Sequence, residues 1–278
     1  MAAPETIRVA GLKIVAMDPM GIGVIVPPAP QTAERVFAEH PDIMVAIDGP
    51  MFSVCSGQPD DYDRYQCGRV DYYLHDSQRG VHVSGRRDHD DNGVTFSLSP
   101  AGFTAARGNA PAPGATVAIQ CYPGLVEEGR VAVSQRTSGP DSQANGRVAM
   151  GLLRDGRLFF AYARMSMWNF ANALVTAGAV WAGYTDGGGS SSLVQRLANG
   201  TLEGSDADDP RGRRVPSWLV WRDPARSGGS APPGSRLSIP TASYAVPGAI
   251  AGTALLLTYL YLRRKSVAAS VAGLGLRL

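Results

Sequence analysis

The chain has almost no lysine: Lys13 and Lys265 are the only two among 278 residues, and arginine supplies the rest of the positive charge. That balance fits a GC-rich bacterial or phage genome better than a functional demand. Three cysteines, Cys55, Cys67 and Cys121, are too few and too scattered for a disulfide framework, and no CxxC pair suggests zinc. A bridge between Cys55 and Cys67 and free buried thiols both remain open. The four histidines, His40, His75, His82 and His89, show no metal-ligand spacing. Charged residues make up 18% of the chain, and four of the basic ones, Arg263, Arg264, Lys265 and Arg277, lie past residue 262, leaving 22 basic against 24 acidic. A near-neutral body of this kind does not suggest a nucleic-acid partner. No internal repeat is evident. The N-terminal stretch MAAPETIRVAGLKIVAMDP lacks an apolar core behind a basic start, so no signal peptide is expected there.

What is present is a 44% hydrophobic composition, enough for a packed core. Short β-type runs are separated by Gly, Pro, Asn and Asp: IRVAGLKIVAMD, IMVAID, GVHVSG, VTFSLS, TVAIQCY, RVAMGLL, RLFFAYA, AVWAGYTD and SWLVWRD. Two helices interrupt them. TAERVFAEH has Thr32 as its N-cap; SMWNFANALVTAG has Ser166 as N-cap, Gly178 just past its end, and Phe170, Leu174 and Ala177 along one face. The second helix runs directly into an apolar strand, a βαβ-like unit. The expected fold class is α+β (mixed α/β), a mixed-direction sheet core with a few packing helices.

Four segments are expected along the chain. Residues 1–222 form the globular domain, and the Pro/Gly/Ser-rich residues 223–243 form a linker. Residues 244–262, ending AVPGAIAGTALLLTYLYL before Arg263-Arg264-Lys265, have the length and the Tyr-then-basic flank of a membrane-spanning helix. Residues 263–278 form a short basic tail. A buried helix or a tail that docks on a partner are the alternatives for 244–262. A single-pass C-terminal membrane anchor is the expected localisation; the basic cluster favours a cytoplasmic C-terminus while no N-terminal export signal is visible, so the side is open.

Several stretches carry candidate chemistry. Asp88, Asp90, Asn92 and Gly93 match the first half of a calcium loop, but Ser99 stands where the closing glutamate belongs. The simpler reading is a hairpin turn at Asn92-Gly93 joining GVHVSG to VTFSLS. The run YTDGGGSSSLVQR, residues 184–196, lacks the closing glycine of a hydrolase elbow and the lysine of a phosphate loop. It places Asp186 at the C-terminal end of a buried strand, where open sheets build ligand crevices. Gly187, Gly188 and Gly189 let backbone amides approach a ligand, and Ser190 and Ser191 add hydroxyls. A plain glycine turn capped by Asp186 explains the same residues.

This run, with three earlier segments in the same order, resembles the phosphodiester glycosidase family, whose animal member removes N-acetylglucosamine from mannose 6-phosphate tags. IMVAIDGPMF is similar to the family's A-x-N-G-x-F-F segment, CYPGLVEEGRV to its P-x-L-v-x-x-G stretch, GRVAMGLLRDGRLFFAYA to its R-t-a-x-G-x-x-x-D-G segment, and AVWAGYTDGGGSSSLV to its LDGGGSS segment. The likeness spans residues 40–196. Asp48 stands where the family usually has asparagine, Met51-Phe52 replaces two aromatics, and Tyr184-Thr185 replaces the usual approach to the aspartate. The resemblance implies a glycoside hydrolase that cleaves a sugar-1-phosphodiester such as one of N-acetylglucosamine. It assigns Asp186 as nucleophile or base, Arg147 as phosphate clamp and Asp48 as an orienting group or acid, with residues 187–191 lining the substrate. A carbohydrate or sugar-phosphate substrate and no cofactor or metal are expected. The alternative is a non-catalytic carbohydrate-binding or virion-associated module of the same fold; a purely structural membrane protein is the third class.

Overall fold

The computed structural model describes residues 3–50, 70, 72–84, 92–204, 214–223 and 226. Its elements, in chain order, are β1 (Glu5–Val9), β2 (Leu12–Met17), β3 (Ile22–Ile25), α1 (Ala33–Glu39), β4 (Ile43–Asp48), β5 (Leu74–Asp76), β6 (Val81–Val83), β7 (Val94–Ser99), β8 (Gly102–Arg107) and β9 (Val117–Cys121). There follow β10 (Gly124–Glu127), β11 (Arg130–Val131), β12 (Asn145–Leu153), β13 (Leu158–Met165), α2 (Met167–Thr176), β14 (Ala179–Gly187), β15 (Leu193–Arg196), β16 (Leu202–Gly204) and β17 (Trp218–Arg222).

Three sheets form. One has seven strands in the order β1-β2-β13-β12-β14-β10-β11, one has five in the order β16-β15-β4-β17-β3, and one has five in the order β6-β5-β9-β7-β8. Alternation along the strands sorts the apolar residues into layers. Val15, Val148, Phe160, Ile47, Leu193, Leu219, Phe96 and Ile119 meet in a core shared by all three sheets. The other face of the seven-stranded sheet, with Ile14, Ala149 and Phe159, is covered by Phe170 and Leu174 of α2. The other face of the β4 sheet is covered by Val36 and Phe37 of α1. Burying each of these large side chains is worth about 1.5–3 kcal/mol. Covered on both faces, β12 reads in sequence as a continuous apolar run instead of an alternating one.

Both helix caps fall where expected. The Thr32 hydroxyl accepts from the Arg35 amide and the Ser166 hydroxyl from the Asn169 amide, at 3.4 and 3.3 Å. Gly178 follows α2 at φ +93°, a conformation glycine adopts without a Cβ penalty.

The α+β class holds, with three differences. Every described pairing is antiparallel, so the sheets are not of mixed direction. The strands flanking α2 do run parallel to each other, but β12 sits between them and pairs antiparallel with both. The run IRVAGLKIVAMD is two strands, because Ala10 and Gly11, at φ +49° and +79°, turn the chain into a hairpin. Asn92-Gly93 does not join β6 to β7 as a hairpin, since β5 and β9 lie between those strands; Asn92 instead holds the edge of β10 through its carbonyl, which accepts from Gly124, and binds Arg107 through its side chain.

Cys121 is a free thiol buried in the core, and burial pushes its pKa up. Cys55 and Cys67, Asp88 and Asp90, most of the 223–243 linker, the 244–262 segment and the basic tail lie outside the described residues. Among the described residues no helix is long and apolar enough to cross a membrane.

Candidate functional site

Asp48 is the last residue of β4, and Asp186 sits one residue before the end of β14, 138 positions later in the chain. The connection from β14 to β15 brings them together. Leu193 pairs with Ile47, so Ser192 lands beside Asp48. Its backbone amide donates to one Asp48 carboxyl oxygen and its hydroxyl to the other, both at 2.7 Å. The Ser190 hydroxyl donates to Asp186 Oδ2 at 2.5 Å. The two carboxyl groups also hydrogen-bond each other.

Two carboxylates in contact and out of water cannot both ionise cheaply, so the pair holds a proton. Asp48 is fully buried, and this burial, then the neighbouring Asp186 charge, raises its pKa well above the carboxylate range; the two donors from Ser192 oppose the shift without reversing it. The shift favours the protonated form of Asp48. Asp186 is buried as well, but at 7% exposed is the less enclosed member of the pair.

The glycines of the run answer to close approach. A Cβ on Gly146, at the start of β12, would stand 2.8 Å from the Gly188 carbonyl oxygen and 3.1 Å from Ser191 Cβ, so strand and turn meet backbone to backbone. A Cβ on Gly187 would overlap the Tyr184 hydroxyl. Gly188 sits at φ +85°. Gly188, Gly189 and Ser190 form one turn of 3₁₀ helix leading to Ser191. Among the described residues the buried Ser191 hydroxyl has no hydrogen-bond partner, nor has that of Ser217 against Gly49. Unpaired buried hydroxyls cost free energy unless something else meets them, and two of them flank the Asp48–Asp186 pair.

Arg147 is set apart from that pair. β14 carries one extra residue, Thr185, between the pairs Val148–Asp186 and Ala149–Tyr184. This bulge leaves Tyr184 in the α2-side core while Asp186 follows Val148 onto the opposite face. Arg147 goes with Tyr184. Its Nη1 donates to the Tyr184 hydroxyl at 3.0 Å, its Nη2 to the Pro140 and Gln143 carbonyls at 2.7 and 3.5 Å, and its Nε to the Met165 carbonyl at 3.3 Å. Among the described residues these partners are all neutral, although Arg147 is only 4% exposed. Burial pushes the Tyr184 pKa up to about 12 despite the neighbouring guanidinium.

The structure thus joins Asp48, Asp186 and the 187–191 turn, and places Arg147 beneath that turn on the other face of the sheet. Ser192, Tyr184 and Ser217 belong to this cluster and were not singled out by sequence as site residues. Ser192 is the third serine of a run already noted, whereas Ser217 carries no local signal. Among the described residues, no three His, Cys, Asp or Glu side chains group as a metal would require; on the third sheet His75 and His82 meet edge to face, and Tyr73 stacks on His75.

A model of the phosphodiester glycosidase family matches residues 42–221, more than half of the chain, and the protein belongs to that family. No curated protein matches it in sequence at a significant level. Among solved structures, the catalytic domain of zebrafish N-acetylglucosamine-1-phosphodiester alpha-N-acetylglucosaminidase, auto-inhibited by its pro-peptide, is similar with a TM-score of 0.56 at 16% identity, over 80% of this chain and 82% of that one. A hypothetical protein from Synechocystis has a TM-score of 0.48 at 16% identity, over 79% of this chain and 61% of that one. A putative exported protein from Burkholderia pseudomallei K96243 has 0.49 at 12%, over 76% and 74%. The zebrafish likeness shows a shared fold.

Proposed function

We propose that the protein hydrolyses a sugar-1-phosphodiester, of the kind formed by N-acetylglucosamine, at the Asp48–Asp186 pair. The observation that carries this reading is a carboxylate held by Ser190 beside a glycine turn and coupled to a fully buried second carboxyl, Asp48, whose pKa is raised. Family membership supports the same reaction class. Cleavage between the anomeric carbon and the phosphate oxygen passes through an oxocarbenium-like state, which an ionised carboxylate stabilises. Asp186 acts there as nucleophile or as base for water; the phosphate monoester departs with the bonding electrons, and water supplies the hydroxyl of the free sugar.

Asp48 keeps Asp186 oriented, and the proton that water gives up passes to Asp186 and from there to solvent. The amides of Gly187, Gly188 and Gly189 and the hydroxyls of Ser190 and Ser191 line the substrate, the unpaired Ser191 hydroxyl being placed to meet one of its polar atoms. The partners of Arg147 support a role under the turn: it adds positive charge below the phosphate and fixes Tyr184 against Gly187. We further propose that residues 244–262 anchor the protein to a membrane, which partition of the full chain into detergent micelles would test.

The reaction is tested by sugar release from α- and β-linked N-acetylglucosamine-1-phosphodiesters, the full chain beside its Asp186→Asn variant. A loss of about 10²–10⁴-fold in the variant is expected, the scale of a positioned catalytic carboxylate. Equal rates, with both proteins folded, exclude Asp186 as the reacting group. Sugar binding without turnover by the wild type would favour a binding module.

A further inference from the structure

A cleft of about 410 Å³ opens at the β1–β2 edge of the seven-stranded sheet, away from Asp186 but on the same face. Arg8, Lys13, Tyr162, Arg164 and Glu203 line it. Register places it relative to the site. Arg8 pairs with Lys13, Lys13 with Tyr162, Tyr162 with Val148 and Val148 with Asp186, a single row across β1, β2, β13, β12 and β14. Residues in one such row project from one face of the sheet. Three strand spacings separate Lys13 from Asp186, about 14 Å. Arg164 fills the interval, since it pairs with Gly146, the residue packed against Gly188 and Ser191.

Charge in the cleft is uneven. Lys13, the only lysine of residues 1–222, is buried with its side chain 6% exposed and paired to Glu203 at 3.0 Å; Arg8 reaches the same carboxylate at 3.4 Å. Among the described residues, two cations thus share one carboxylate, and Arg164 lines the same cleft. A nucleic acid would meet repulsion from Glu203 and little wider basic surface. An anionic glycan fits both signs: its phosphates meet the cations, and its hydroxyls donate to Glu203.

We propose that this cleft is a second anion-binding subsite, which holds a further phosphate of a phosphodiester-linked oligosaccharide while Asp186 faces the bond to be cut. The idea rests on the reading of Asp186 given above, but its test separates the two. Arg8 and Glu203 are exposed side chains remote from the Asp186 turn, and Glu203→Gln also removes the carboxylate that pairs with buried Lys13.

The probes are a trimer of 1-phosphodiester-linked N-acetylglucosamine, its neutral counterpart chitotriose, and a methyl phosphodiester of N-acetylglucosamine 1-phosphate with a single linkage. Binding is measured by calorimetry on the full-chain Asp186→Asn variant, and turnover on the wild type. Arg8→Gln should weaken trimer binding about three- to fivefold and Glu203→Gln should tighten it by a similar factor, the scale of partly exposed charge pairs. Neither change should alter turnover of the single-linkage substrate, and added salt should weaken trimer but not chitotriose binding. Opposite signs from the two variants are hard to obtain from a structural role. Turnover of the small substrate with no trimer preference, or trimer binding indifferent to both variants, overturns the subsite and leaves the reaction standing. Trimer binding that follows both variants, with no turnover by the wild type, keeps the subsite and removes the reaction.

Discussion

Two charged groups flank the end of β14, and they are satisfied in opposite ways. On one face Asp186 meets another carboxyl, and burial with the like charge raises the pKa of that partner, Asp48. On the other, Arg147 directs its N–H groups to three carbonyls and a tyrosine hydroxyl. A single bulge residue, Thr185, separates the two arrangements. The carboxyl pair answers to pH because its net charge can change; the arginine side does not, since a guanidinium keeps its proton. The first is suited to chemistry and the second to support.

This contrast can be broken from the support side first. Arg147→Met should leave the Tyr184 hydroxyl unpaired in a buried site and the part-buried Pro140 and Met165 carbonyls without this donor, with a loss of up to about 3 kcal/mol, read as a lower denaturation midpoint at unchanged slope. Arg147→Lys should recover only part of that, because an ammonium cannot reproduce the fork. A variant as stable as the wild type would mean that the turn does not depend on Arg147.

Next in size, Gly187→Ala drives a methyl group into the Tyr184 hydroxyl and should cost about 1–3 kcal/mol, the range for overpacking a tight site. Adding Tyr184→Phe should return a fraction of the loss, and strict additivity in that double-mutant cycle would break the proposed contact.

The smallest effect has the opposite sign and sharpens the comparison. Asp48 binds its proton more tightly in the folded protein than in the unfolded chain. Its contribution to stability is complete below the ordinary carboxylate range and is lost as pH rises through the raised value. Asp48→Asn cannot ionise, so its Tm should match the wild type near pH 4 and exceed it at pH 8 by roughly 2–4 °C, what about 1 kcal/mol gives in a domain of this size. An advantage that does not grow with pH would show that Asp48 is not the proton holder.

Much of the local structure was legible. IMVAID and VTFSLS coincide with β4 and β7, and Thr32, Ser166 and Gly178 punctuate the helices as capping chemistry requires. The short strands β5, β10, β15 and β16 were not, since three or four residues carry too little pattern to stand out from loops. For the site, Asp186 and its glycine turn announced themselves. The coupling of Asp48 to Asp186 had no signal, because it depends on β15 adding to β4 after an interval of 144 residues between Asp48 and Ser192. Nor did Arg147 reveal which face it would take; a one-residue bulge on its neighbour strand decides that, and alternation read along β12 alone cannot show it.

Sequence by itself determined the longer strands and the two helices, where glycine was needed, and the family to which the chain belongs, because propensity, capping and motif order are local properties. Only the tertiary structure decided which polar side chains share a volume. It joined Asp48 to Asp186 as one titrating unit, turned Arg147 away beneath them, and aligned Lys13 with Asp186 across four strands, because burial and strand register act between residues that the chain order keeps far apart.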